Sequence, residues 1–121
     1  MFKLDTDGTT ILMHRGNTGV IRFVLDGYTF GNLDRVLFMM KSMGGTEIKS
    51  KICEVDEDNA IEIEFVNTDT DYLSAQDYIY AITAVTDPIY DDGKIVDGSG
   101  VCTPVETNNK IIRIIDTAAL V

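Results

Sequence analysis

Residue types that carry chemistry are scarce in this chain. Its 121 residues include no tryptophan, one histidine, two cysteines and two prolines. Acid–base and nucleophilic catalysis need a reactive group held close to a partner, and no Ser–His–Asp or Cys–His spacing surrounds the single histidine, His14. The sequence also lacks a phosphate-binding glycine loop. It therefore predicts a protein that is not an enzyme and has no cofactor.

Basic residues are half as numerous as acidic ones, 10 against 20, which gives a formal net charge of −10. Phosphate backbones and anionic lipids repel such a chain, so we expect it to bind neither nucleic acid nor a membrane. Met1 to Asp5 lack the apolar core of a signal peptide, and no run approaches the ~18 apolar residues of a spanning helix. We expect the protein to stay in the cytoplasm in which it is made unless a larger particle carries it out, and to bind neutral or basic proteins.

Size and cysteine content are typical of one domain. A chain of 121 residues that is 45% hydrophobic can bury a core without metals or disulfides. We therefore expect a single domain over residues 1–121. Cys53 and Cys102 are then thiols that the fold does not need. Two free thiols are the first interpretation, and a disulfide between them is the alternative.

Short β-type segments recur along the chain, bounded by Gly, Asn, Asp or Ser, without a sustained helical period. The predicted strands are Thr10–His14, Gly19–Leu25, Arg35–Lys41, Glu47–Glu54, Ala60–Val66, Asp77–Val85, Lys94–Val96 and Lys110–Ile115. About seven to eight such strands predict an all-β protein, an antiparallel β-sandwich of two packed sheets. Nine alternating apolar residues are predicted for its core: Ile21, Phe23, Leu25, Ile61, Ile63, Phe65, Tyr78, Tyr80 and Ile82.

Two of these segments are predicted to pair as one hairpin across the acidic turn Val55–Asp58. The pairs are Ile52 with Ile61, Ile48 with Phe65, Lys51 with Glu62, and Lys49 with Glu64. In this register the apolar side chains line a core and the charged pairs cross the solvated face. The hairpin therefore predicts an antiparallel sheet with one wet side.

Two other segments differ from this pattern. Residues 86–109 are polar, contain glycines and include both prolines, so we expect a long loop or a segment ordered by a partner. Val36–Met40 is apolar on both faces, and its length and the following Gly44-Gly45 favour a strand covered on both sides over a turn of buried helix.

The segment Ile111–Ile115 is also apolar on both faces except at Arg113. In the middle of a sheet it would be a core strand, whereas at an edge it would pair with a neighbouring subunit by strand addition. We predict the edge position, with Ile112 and Ile114 at the interface of a homo-oligomer, and keep the core strand as the alternative.

Acidic loops offer oxygen ligands for calcium. The weak candidates are Asp5, Asp7, Asp69 and Asp71. The EF-hand pattern fails, because Tyr72 stands where glycine belongs and Tyr78 where the bidentate glutamate belongs. The sequence therefore predicts no metal site.

Four aromatic residues lie in or beside predicted loops and could stack on sugar rings: Tyr28, Phe30, Tyr72 and Tyr90. Tyr72, beside Leu73, is expected instead to plug one end of the sandwich. A small carbohydrate-binding module, with or without calcium, is the alternative function.

Several segments, taken in order, carry a resemblance to a known family. They are Gly16-Asn17-Thr18, Ile21–Asp26, Val36–Lys41, the strand ending at Phe65, Asp69-Thr70 before Leu73, Tyr78–Ile82 and Gly93-Lys94. Together they resemble the immunoglobulin-like module at the N-terminus of upper baseplate proteins of siphophages and of related prophage tail proteins. The resemblance implies an immunoglobulin-like fold and a structural subunit of a phage or prophage tail, baseplate or connector. Such a subunit works by self-assembly and by contacts with other virion proteins, and it is found in the virion after synthesis in the bacterial host cytoplasm.

Overall fold

The fold is mostly β. A computed structural model describes residues 2–4, 10–25, 31, 34–104 and 110–115. In chain order these form β1 (Phe2–Leu4), β2 (Ile11–His14), β3 (Gly19–Val24), β4 (Arg35–Ser42), β5 (Glu47–Cys53), β6 (Ala60–Phe65), α1 (Asn67–Thr70), β7 (Asp77–Asp91), β8 (Lys94–Pro104) and β9 (Lys110–Ile115). The expected all-β class is confirmed. β1 is a strand that the sequence analysis missed.

Two sheets of unequal size contain these strands. The large sheet has seven strands, in the order β1-β2-β9-β7-β4-β5, and its seventh strand, β8, pairs with β7 beside this path. The small sheet consists of β3 and β6. Most described pairs are antiparallel, but β2 and β9 run parallel, with Ile11 beside Ile112. β9 therefore lies inside the large sheet, between β2 and β7.

One hydrophobic core lies between the two sheets. Phe38 of β4 is fully buried, and its ring centre lies 6.0 Å from that of Phe23, 6.5 Å from that of Phe65 and 5.9 Å from that of Tyr80. Phe23 and Phe65 belong to the small sheet, so these ring contacts join one sheet to the other. Of the nine predicted core residues, Ile21 and Phe23 are partly buried and the other seven are buried. The predicted core is therefore confirmed.

The predicted hairpin between the segments around Ile52 and Ile61 is wrong. Both segments are strands, but β5 pairs with β4 in the large sheet and β6 pairs with β3 in the small one. The acidic turn carries the chain from one sheet to the other. In this turn an Asp56 oxygen accepts the backbone N–H groups of Asp58 at 2.9 Å and Ala60 at 3.0 Å.

The side chains assigned to that hairpin have other contacts. Ile52 is half-buried on the side of β5 away from the core, in the row of Leu37. Lys51 donates to the backbone oxygen of Glu62 at 3.3 Å. Lys49 pairs with Asp69 at 3.1 Å and lies 5.2 Å from the Phe65 ring centre. The two lysines therefore bridge the open side between the edge strands β5 and β6, where charged residues hinder edge-to-edge pairing.

β7 and β8 form a long hairpin where the sequence predicted a loop or a partner-ordered segment. β7 begins at Asp77 as expected but extends to Asp91, and β8 begins at Lys94. The two residues between them, Asp92 and Gly93, have φ of 51° and 76°. Two successive positive φ values are typical of the type I′ turn that matches the twist of a hairpin. Residues 105–109 of the expected loop lie outside the described residues.

α1 is a single helical turn that precedes β7. Asp69 accepts the N–H of Val66 at 2.8 Å at its start, and buried Thr70 accepts the N–H of Gly16 at 2.9 Å. α1 is therefore fixed to the β2–β3 turn. In the part of the chain that the structure describes, no helix has the length and hydropathy needed to cross a membrane.

Candidate interaction surface

The side of the large sheet away from the core is apolar. Val36, Phe38 and Met40 of β4 are buried in the core, so Leu37 and Met39 between them point outward. The strand register adds five further outward apolar residues: Ile52, Ile79, Ala81, Ile111 and Leu12. All seven are half-buried. We call these seven residues the outer face.

Two grooves cross the outer face. The first, of about 310 Å³, lies over β4 and β7, and its lining includes Ile79 and Ala81. The second, of about 440 Å³, lies over β4 and β5, and the hairpin turn residues Asp92 and Gly93 form one of its walls. Leu37 and Met39 line both grooves, so the two grooves adjoin each other along β4.

Charges of opposite sign lie at the margin of the outer face. Arg113 donates to Asp77 at 2.7 and 3.3 Å, between β9 and β7. Lys41 lies opposite Glu47 across the β4–β5 ladder. These four charges cancel, although the whole chain carries −10. Repulsion between two copies of the chain would therefore be weaker here than at acidic surfaces.

The outward side of the small sheet is charged instead. Arg22 lies opposite Glu62 in the β3–β6 ladder. Its guanidinium contacts Asp56 at 2.8 Å, Asp58 at 3.2 Å and Glu62 at 3.5 Å. A cation from the chain itself thus occupies the centre of this carboxylate cluster.

The network around Arg22 shifts the pKa of two groups. The hydrogen bond to Asp56 raises the pKa of Arg22 above its ordinary value. Desolvation acts to raise the pKa of Asp56, but hydrogen bonds from the Ala60 N–H and Arg22 outweigh it and hold this pKa below 3.8. Asp56 is therefore ionised at neutral pH, as its structural contacts require.

Two of the calcium candidates, Asp69 and Asp71, are among the described residues. Asp69 accepts the N–H of Val66 and pairs with Lys49, and Asp71 is exposed. Asp5 and Asp7 lie outside the described residues. Among the residues that are described, no group of three or more His, Cys, Asp or Glu side chains could hold a metal ion.

His14 and Cys53 are too far apart to act together. His14 ends β2 and Cys53 ends β5, and three strands of the large sheet lie between them. At about 4.8 Å from strand to strand, this separation is about 19 Å. Cys53 is a buried free thiol, and burial raises its pKa. The side chain of Cys102 lies outside the described residues.

Two of the four candidate sugar-stacking residues are described. Tyr72 is 65% exposed, so it does not plug the end of the fold; the buried neighbour Leu73 fills that position. Tyr90 is 48% exposed near the β7–β8 turn. Tyr72 lies in the connection between α1 and β7, whereas Tyr90 lies within β7. Tyr28 and Phe30 fall outside the described residues.

The predicted interface residues Ile112 and Ile114 are core residues, 0% and 1% exposed. β9 has partners on both sides, so the core-strand alternative describes it, and the edge position was wrong. A neighbouring subunit cannot reach these two side chains without opening the sheet. Ile111, one position away, belongs to the outer face. Sequence reasoning missed this surface, although Val36–Met40 carried its signal by being apolar on both faces.

Comparisons with protein-family models, curated proteins and solved structures identify no match for this chain.

Proposed function

We propose that this protein is a non-enzymatic structural subunit that assembles through the outer face of its large sheet. One observation carries the proposal: a set of apolar residues, including Leu37, Met39 and Ile79, lies on the side away from the core, within a chain of net charge −10. The solvated side of an antiparallel sheet is normally polar at these positions. Contiguous apolar surface is typical of protein contacts.

We also propose that the fold is an immunoglobulin-like sandwich. With β3, β4, β5, β6, β7 and β9 taken as strands B, C, C′, E, F and G, the sheets have the pairings G-F-C-C′ and B-E, which agree with the variable-type arrangement. In that fold a tyrosine near the start of strand F bonds back to the preceding backbone. Tyr78 donates in this way to the Ser74 oxygen at 3.0 Å.

An aromatic cluster stands where immunoglobulin domains have a disulfide and a tryptophan. Tyr80, two residues after Tyr78, occupies the position of the strand F cysteine of immunoglobulin domains. Its ring centre lies 5.6 Å from that of Phe23 in strand B. Phe38 of strand C contacts both rings. The cluster joins the same three strands without a covalent bond, as a protein made in a reducing cytoplasm would need.

The resemblance to baseplate and prophage tail proteins leads us to place this subunit in a phage or prophage virion. Its partners would be further copies of the chain and other virion proteins. Genes for portal, tape-measure or receptor-binding proteins beside its gene would support this placement. A metabolic operon there would contradict it.

The assembly proposal is tested by placing a charge on the outer face. Met39→Lys should weaken self-association at least about tenfold, because the lysine must be desolvated at the interface. Sedimentation velocity over a concentration series measures the association. β-type circular dichroism should be unchanged, since Met39 is outside the core.

The matched control is Val24→Lys on the small sheet. Val24 is 49% exposed, and its strand takes no part in the outer face. This variant should associate as the parent does. A Met39→Lys chain that associates as well as the parent would contradict assembly through the outer face.

A further inference from the structure

β7 extends beyond the sheet to which it belongs. Its last described partner in β4 is Arg35, opposite Val85. From Thr86 to Asp91 its ladder partner is β8. Among the described residues, the hairpin therefore leaves the sheet as a two-stranded ribbon. An isolated ribbon of this kind is marginally stable in water, so it gains from a surface on which to pack.

Irregular backbone positions allow the ribbon to bend. Its register shifts between Thr83 and Val85 and again between Ile89 and Tyr90. Such bulges bend a strand and increase its twist. Opposite Pro88, β8 has Gly98, a residue that in strands often accompanies a tight bend.

The turn of the ribbon lies beside the β4–β5 part of the outer face. Its turn residues, Asp92 and Gly93, share a groove with Met39, which lies two rows of the sheet beyond Arg35. Val85 points outward from β7, yet it is only 4% exposed, as expected beneath a folded ribbon. The groove of about 440 Å³ beneath the turn means that this cover is loose.

We propose that the β7–β8 hairpin is an autoinhibitory strap. It covers the β4–β5 part of the outer face in the free chain and moves away when a second copy of the chain binds there. This inference rests on the proposed function and adds its regulation: the subunit would remain apart until its concentration, or a first contact, shifts the strap from closed to open.

Charge favours a second copy as the occupant. Lys41 and Glu47 lie opposite each other in the ladder, so a two-fold axis passing beside this pair would bring the Lys41 of each copy near the Glu47 of the other. The Arg113–Asp77 pairs add no net charge. Acidic surfaces such as the side of β6 that carries Glu62 and Glu64 would repel their equivalents.

The expected size of the effect follows from the closed fraction of the strap. Both copies must open before a two-fold dimer can form, so a strap that is open about one-third of the time weakens the apparent affinity about tenfold. Removing the strap should therefore lower the dimer dissociation constant by about that factor, since the outer face itself is unchanged.

The strap is removed by replacing residues 86–100 with Asn-Gly. Val85 and Val101 face each other across the ladder, so a two-residue turn can join them. Sedimentation equilibrium of the intact and shortened chains then gives both dissociation constants. We expect the shortened chain to dimerise about tenfold more tightly. Equal constants in two chains with the same circular dichroism would overturn the proposal.

The rate of methionine oxidation measures whether the hairpin covers the outer face, and it does so in a chain that has not assembled. Peroxide oxidises exposed methionine side chains, and three on or after β4 differ in position: Met39 on the outer face, Met40 at 0% exposure and Met43 at 60%. In dilute monomer, shortening the hairpin should accelerate oxidation of Met39 several-fold and leave Met40 and Met43 unchanged. An unchanged Met39 rate would show that the hairpin does not cover the face.

The two measurements separate the strap from the proposed function. If the shortened chain dimerises no better but Met39→Lys still weakens the parent's assembly, the strap is overturned and assembly through the outer face stands. In a second outcome, the shortened chain shows faster Met39 oxidation but dimerises no more tightly than the parent. The hairpin would then cover the face without regulating self-association, which also overturns the proposal. If neither chain assembles, both inferences fail.

Discussion

The two sheets differ most in the residues on their outward sides, which are apolar on the large sheet and charged on the small one. On the large sheet Leu37, Met39 and Ile79 lie away from the core, and the charges at the margin cancel. On the small sheet Arg22 is held by carboxylates and its valine neighbours are single exposed residues. Scattered apolar residues are ordinary on a surface, whereas a contiguous set is not. The comparison indicates that only one side is built to be covered.

The largest expected effect separates the two faces of β4. Phe38→Ala should destabilise the fold by about 3–5 kcal/mol, because it removes the ring that contacts both sheets and leaves a cavity. Leu37→Ala, one residue away on the outer face, should cost about 1 kcal/mol or less. Urea unfolding of both variants measures the difference. Similar losses would mean that the outer face is as buried as the core.

A smaller effect concerns the charged side of the small sheet. Because the pKa of Asp56 is lowered on folding, its contribution to stability is present above about pH 3.8 and is lost as the pH falls through the lower folded value. As the pH is lowered from about 5 to about 2, the melting temperature of the parent should therefore fall further than that of the Asp56→Asn variant. Thermal melts across this range test the sign. Parallel curves for the two proteins would show that folding does not stabilise the Asp56 carboxylate through its hydrogen bonds from Ala60 and Arg22.

The smallest effect is expected for Val20→Thr on the small sheet. Val20 is 48% exposed, so the substitution should change the free energy of unfolding by no more than about 0.5 kcal/mol and leave association unaffected. Leu37→Thr on the outer face should weaken association in the same assay. Equal association of both variants would remove the contrast between the two sides.

Strand positions could be predicted from the sequence because each depends on local alternation. β6 and the first half of β7 have apolar residues at every second position, and those residues are buried as expected. Strand partners could not be predicted in this way. The Lys49–Lys51 segment matches β6 in charge, but β4 offers the same β5 an apolar face, and the pairing depends on contacts distant in sequence.

The hairpin and the outer face were missed for related reasons. Glycines and prolines in residues 86–104 suggested a loop, although the Asp92-Gly93 turn is a strong hairpin signal. The strand Ile111–Ile115 was placed at an edge because both of its faces are apolar. A strand with two apolar faces also fits the middle of a sheet whose outward side is covered, and alternation alone does not distinguish these cases.

The parallel pairing of β2 with β9 bears on how the protein is made. Ile11 and Ile112 stand at opposite ends of the sequence but side by side in the sheet. During synthesis β2 must wait until β9 has left the ribosome before this neighbour exists, and contacts so distant in sequence are slow to form. A product terminated before Lys110 would leave the sides of β2 and β7 that face β9 without a partner, so early termination should yield aggregates rather than a weakened domain.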